Sequence, residues 1–295
     1  MKKVFCLVTF IIVSSFNVEA QTAVLKQQIE QFLATKKAKV GVSVVGIESK
    51  EAFTVNATGH YPLQSVFKFH LALAVLNQVD KGILQLNQKI VVKKNDLLLN
   101  TWSPIREAYP AGDVEIPLSE ILKYTVALSD NNGCDILLRL IGGPKVLNTY
   151  LHKLGIKDVA ITVNEEDMQK DWDTQFTNWS TPKAATDLLL MFYRHQILSQ
   201  SSFDFLWRTM VETTTGKKRI KGQLPEGTIV AHKTGTSGTN TEGITAAVND
   251  IGIVTLPNNQ HFAISIFVAN SKENTDTNEQ IIAEITQLTW AYFVH

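Results

Sequence analysis

Ser65 and Lys68 stand three residues apart at the front of the strongly apolar segment Leu63 to Leu76. On a helix three residues are nearly one turn, so the hydroxyl and the amine share a face and can meet. The residues behind them, Phe69 to Leu76, are apolar almost all round, the pattern of a helix buried inside a domain. A lysine at the mouth of such a helix loses solvation, is driven toward its neutral form and becomes a base for a neighbouring hydroxyl. The competing reading is a surface-facing pair at a helix start, since Ser-x-x-Lys is expected about once by chance in a chain this long. A second match, Ser180 to Lys183, contains Pro182 and opens a helix after a polar stretch, so there Ser180 reads as a helix N-cap.

Two more short motifs follow in order. Ser129-Asp130-Asn131 sits between two helical stretches, and Lys233-Thr234-Gly235 ends a β-rich run. Alone, the first reads as a helix cap and the second as a strand end with a turn glycine. Together, in this order and on these elements, the three resemble the motif set of the class A serine β-lactamases and, more distantly, of the penicillin-binding transpeptidases. Within class A the chain resembles most the PER-type and VEB-type extended-spectrum subgroup, over essentially the whole mature chain.

The resemblance implies a division of labour. Ser65 is the nucleophile and Lys68 a candidate base; Ser129, between Lys68 and Lys233, relays a proton to the departing ring nitrogen. Asn131 hydrogen-bonds Lys68 and the substrate side chain. The backbone N–H groups of Ser65 and Thr236 hold the tetrahedral oxygen. Lys233, with the hydroxyls of Thr234 and Thr236, anchors the substrate carboxylate. No arginine follows Arg219, so Arg219 stands in for the arginine that many class A enzymes carry on the neighbouring strand. The other reading of Arg219 is one charge in a solvated basic run, Lys217 to Lys221.

Deacylation requires a carboxylate beside the ester, which the family places on an Ω-loop. Here that loop is 162–180, with Glu165 and Glu166 side by side. Alignment from its end, where Asn178-Trp179 looks like the PER-type closing pair, puts the base at Glu165. In the usual Glu-x-x-Leu-Asn pattern Met168 and Gln169 fill the last two places, so Gln169 is expected to take over the hydrogen bond to the hydrolytic water. Glu166 replaces the common proline, which argues against a cis bond, and the salt bridge that commonly closes the loop is missing. A differently folded, wider loop is therefore expected. Trp102 matches the aromatic wall of the site, with a core position as the alternative. Thr236 and Ser237 put hydroxyls at the sheet edge, consistent with a cephalosporin-preferring enzyme. The rival functions are a D-alanyl-D-alanine carboxypeptidase or other penicillin-binding protein, and a β-lactam sensor module.

Met1 to Ala20 has two lysines, an apolar run and a small-residue site ending at Ala20, the pattern of a secretory signal peptide. Its removal takes the charge balance from 28 against 28 to 26 against 27 by loss of Lys2, Lys3 and Glu19. Such neutrality gives no reason to expect nucleic acid or a membrane surface as partner. Cys134 is then the remaining thiol; in the first turn of an apolar helix it reads as buried and structural. No Cys/His spacing suggests a metal, and no cofactor is expected. An exported protein is implied, periplasmic in a Gram-negative cell or else secreted, and monomeric.

The elements that must position these residues are legible from periodicity. Ala23 to Lys36 reads as a helix, Lys39 to Ile47 and Ala52 to Ala57 as a hairpin, and the middle of the chain as mostly helical. Thr228 to Thr236, Gly243 to Leu256 and His261 to Ala269 read as strands, and Asn278 to Phe293 as a closing helix. This predicts an α+β fold: a five-stranded antiparallel sheet with the terminal helices on one face, and a helical insertion. The expected division is an α/β lobe of 21–57 and 213–295 and an all-α lobe of 58–212, with the substrate between them.

Overall fold

The computed structural model describes residues 21–294. The segment read as a signal peptide, 1–20, lies outside the described residues. Helix α1 (residues 21–33) is followed by strands β1 (Lys39–Gly46), β2 (Ala52–Val55) and the short β3 (Tyr61–Pro62). A 3-10 turn, Gln64–Val66, runs into α2 (Phe67–Asp80). Next come β4 (Lys89–Val92), α3 (Pro104–Ala108), β5 (Val114–Pro117), α4 (Leu118–Ala127), α5 (Asn131–Ile141) and α6 (Pro144–Lys153). The loop region carries β6 (Val159–Ala160), α7 (Glu165–Met168) and β7 (Trp179–Ser180). The chain finishes with α8 (Pro182–Tyr193), α9 (Gln200–Val211), β8 (Val230–Thr236), β9 (Thr245–Thr255), β10 (His261–Ser271) and α10 (Thr275–Val294).

The main sheet has the order β2-β1-β10-β9-β8, and every pairing is antiparallel. Strand side chains alternate between faces, and here both faces are covered. Val42, Val44, Ile264 and Ile266 pack with Leu25 and Ile29 of α1 and Ile281 and Ile285 of α10. The intervening residues Ala263, Phe267, Ile251 and Ile253 join the larger core of α2 and α8. This explains why β9 and β10 read as nearly unbroken apolar runs.

Helix α8 falls inside the segment that the sequence groups with the all-α lobe, yet it packs against β1 and β10. Its Thr186 Oγ1 donates to the Ser43 carbonyl at 3.2 Å and lies 2.9 Å from Ser265 Oγ. The helical part is therefore seated on the second face of the sheet through α8. Ser180 differs from its expected role as well. It belongs to β7 and is fully buried, and the N-cap of α8 is Thr181, whose side chain accepts from the Ala184 N–H at 3.2 Å. Lys183 pairs with exposed Asp187 instead. No helix among the described residues is long and apolar enough to cross a membrane.

Helix α2 runs through the centre. Every residue from Phe67 to Leu76 is buried, and each large apolar side chain there contributes roughly 2 kcal/mol. Such a helix is a fixed post for whatever its first turn carries.

Candidate active site

Gln64 enters the first turn of that post with φ of +47°, a left-handed conformation that a non-glycine residue holds only when its surroundings enforce it. Its side-chain amide is buried and donates to Gln175 Oε1 at 2.8 Å, tying the turn to the Ω-loop. Lys68, one turn on, has no exposed surface. An ammonium carries three N–H donors. Those of Lys68 meet Ser65 Oγ at 2.6 Å, Asn131 Oδ1 at 2.6 Å and the Glu165 carboxylate in a buried ion pair.

Asp130 caps α5. Its carboxylate accepts from the N–H groups of Gly133 at 2.7 Å and Ile105 at 2.6 Å and from Ser103 Oγ at 3.0 Å. Burial pushes this carboxyl up, and those hydrogen bonds pull the other way. The cap reading of the motif thus holds for its middle residue, while its neighbours turn to the site. Ser129 takes φ of +60° and accepts from Lys233 Nζ at 2.9 Å. Lys233 is fully buried; desolvation, with the positive charge of Lys68 as a lesser cause, holds it well below the usual lysine range. Lys68 with Ser65 and Lys233 with Ser129 thus form two amine–hydroxyl pairs, each able to pass a proton between nitrogen and oxygen.

Strand β8 approaches the turn that carries Ser65 closely because Gly235 lacks a side chain: a Cβ there would lie 2.5 Å from the Leu63 carbonyl oxygen. Thr234 Oγ1 lies 2.6 Å from Thr215 Oγ1. Arg219 is buried behind the strand, not in a solvated run. It donates to the carbonyls of Gly235 and Asn249, both at 3.0 Å, to Thr236 Oγ1 at 2.7 Å and to Glu279 at 3.1 Å.

The Ω-loop is closed by Asn178, which is fully buried. Its Oδ1 accepts from the N–H groups of Thr162 and Val163 at 2.8 and 3.1 Å, and its Nδ2 donates to the Val163 carbonyl at 2.9 Å. Among the described residues no ion pair joins the loop ends, and no peptide bond is cis. Helix α7 buries Glu165 and leaves Glu166 exposed. Asp135 of α5 fixes this orientation by accepting the N–H of Glu165 at 2.8 Å and of Glu166 at 3.0 Å, one on each oxygen. Burial raises the Asp135 carboxyl to about 6. Gln169 donates from Nε2 to Thr101 Oγ1 at 2.8 Å and to the Glu165 carbonyl at 3.2 Å.

A cleft of about 600 Å³ opens over these groups, lined by Ser65, Asn131, Glu165, Trp102, Thr236 and Ser237 together with Gln169. Trp102 is 57% exposed, and its indole N–H donates to the Leu128 carbonyl at 2.8 Å, so it is a wall residue and not core. Cys134 is buried and its thiol is pushed well above the usual range by burial. Gln64, Thr101 and Asp135 carried no sequence signal, because short polar residues are common and their partners come from distant segments.

The beta-lactamase enzyme family model matches residues 23–293. Beta-lactamase VEB-1 of Pseudomonas aeruginosa is 50% identical over 278 residues, covering 94% of this chain and 92% of that protein. Extended-spectrum beta-lactamase PER-1 of the same organism is 46% identical, covering 95% and 90%. The crystal structure of TLA-1 extended spectrum beta-lactamase superposes with a TM-score of 0.92 at 56% identity, over 93% of this chain and 99% of that one. Agreement of this extent in sequence and backbone, around a serine bonded to a buried lysine that is itself paired with a carboxylate, means that the chain belongs to the beta-lactamase enzyme family, within its class A.

Proposed function

We propose that Ser65 attacks the β-lactam carbonyl and that Glu165 drives hydrolysis of the resulting acyl-serine. The observation that carries this is the buried Glu165 carboxylate, which pairs with Lys68 and lines the same cleft as Ser65. Lys68 and Glu165 share the proton taken from Ser65 Oγ as it bonds to the carbonyl carbon. As the ring C–N bond breaks, Ser129 passes a proton to the nitrogen and is resupplied through Lys233. The N–H groups of Ser65 and Thr236 stabilise the oxyanion. A water then attacks the ester carbon, Glu165 takes its proton, and Ser65 leaves with a proton returned through Lys68.

Lys233 and the hydroxyls of Thr234 and Thr236 anchor the substrate carboxylate. Arg219 acts at one remove, by orienting Thr236 and adding its positive charge. Asn131 and Ser237 flank the acyl side chain, Trp102 forms its wall, and Gln169 helps hold the water. Its likeness to PER-1 and TLA-1, both extended-spectrum beta-lactamases, supports an extended-spectrum cephalosporinase that confers resistance. The protein works as an exported monomer in the periplasm, in two parts, 21–57 with 213–295 and 58–212, that share the cleft.

Mixing the mature protein with a chromogenic cephalosporin, while following absorbance and intact mass, tests this. Many turnovers with no lasting adduct are expected. A single burst leaving a persistent acyl mass would overturn the reading in favour of a penicillin-binding protein or sensor.

A further inference from the structure

Thr101 occupies a place that none of the motifs points to. Its Oγ1 accepts from Asn131 Nδ2 at 2.7 Å and from Gln169 Nε2 at 2.8 Å. Asn131 Oδ1 accepts from Lys68, Gln169 Nε2 also reaches the Glu165 carbonyl, and Lys68 pairs with the Glu165 carboxylate. Five residues from four segments thus close a ring: Lys68, Asn131, Thr101, Gln169 and Glu165.

The polarity of the ring matters. A primary amide turned over by half a revolution exchanges its oxygen for its NH₂. Lys68 has only donors, so Asn131 serves it in one orientation alone. The second end of that amide then needs an acceptor, which is Thr101 Oγ1. The backbone that carries this hydroxyl is held on both sides. Arg106 Nη1 donates to the carbonyls of Leu98, Leu99 and Thr101 at 2.6, 2.9 and 2.8 Å, and the Asn131 N–H donates to the Trp102 carbonyl at 3.0 Å.

We propose that Thr101 is a positioning residue for both half-reactions. Through Asn131 it keeps an oxygen on Lys68 for acylation, and through Gln169 it holds the backbone of the carboxylate used in deacylation. This rests on the roles proposed for Lys68 and Glu165.

The test measures acylation and deacylation rate constants separately for Thr101→Val and Thr101→Ser, alone and in Asn131→Ala and Gln169→Ala backgrounds, with Tm alongside. Val keeps the shape and removes the acceptor. It should slow each step about tenfold, the scale of one hydrogen bond in a rate, and Ser should restore both. In the Asn131→Ala background Val should add nothing further to the acylation defect, and in Gln169→Ala nothing further to the deacylation defect. Unchanged rates for Val, equal losses in every background, or a Ser variant as impaired as Val would each overturn the proposal. A Glu165→Gln control that turns over like wild type would instead sink the roles on which it rests, whatever the Thr101 variants do.

Discussion

Asp135 shows how a single carboxylate can set the direction of another. Each of its oxygens takes one backbone N–H at the start of α7, which leaves Glu165 turned in and Glu166 turned out. Asp135→Asn would replace one acceptor with an NH₂ facing an N–H. Protonation does much the same, because the hydroxyl formed is a donor. With its pKa raised to about 6 by burial, Asp135 should therefore contribute an acid limb to wild-type deacylation near that pH. The Asn variant should deacylate about tenfold more slowly at pH 7.5 and lack that limb; an unaltered limb would show that Asp135 has no such role. At this scale the sequence was informative where chemistry is written in spacing. Ser65 with Lys68, Ser129 with Asn131 and Lys233 to Gly235 were found as motifs. Asp135 and Thr101 were not, since nothing in one chain says which of many short polar residues will face an Ω-loop folded back from elsewhere.

The elements that hold these residues depend on close approach and on loop closure. Gly235→Ala places a methyl group against the Leu63 carbonyl, where backbone stands opposite backbone and neither side gives easily. The strand should be displaced from the Ser65 turn, and kcat/KM should fall by roughly a hundredfold or more, with circular dichroism still reporting a folded protein. Retained activity would mean that β8 tolerates the shift. Asn178→Ala removes the three backbone contacts that close the Ω-loop. Hydrogen exchange should then quicken across 162–178 while the main sheet stays protected, and uniform exchange behaviour in both proteins would contradict this. Strand and helix periodicity made the sheet readable, including its five strands. The seat of α8 on the second face was not readable, because an apolar helical stripe does not say which apolar surface will receive it.

For the whole molecule, a sheet covered on both faces gives one cooperative unit with a titratable group sealed inside it. His70 is fully buried on α2, and burial holds it down at about 4, its Nε2 having no hydrogen-bond partner. Folded His70 stays neutral while the unfolded chain takes a proton below about 6.5. Stability should therefore be undiminished above that pH and fall as pH drops from 6.5 to 4, by about 3 kcal/mol from this group. Asp135 works in the opposite sense across an overlapping range, so the informative quantity is the difference between wild type and His70→Leu. Urea unfolding should show the variant gaining on wild type between pH 6.5 and 4. A difference independent of pH would clear His70 of the effect.

In the proposed cycle Ser65 carries the acyl group and Glu165 removes it. Intact mass of the Glu165→Gln protein after exposure to a cephalosporin tests it most directly, with Glu166→Gln beside it. The Glu165 variant should retain a stable adduct that maps to Ser65, and the Glu166 variant should turn over near the wild-type rate without one. Accumulation in the Glu166 variant alone, or an adduct on any residue other than Ser65, would contradict it.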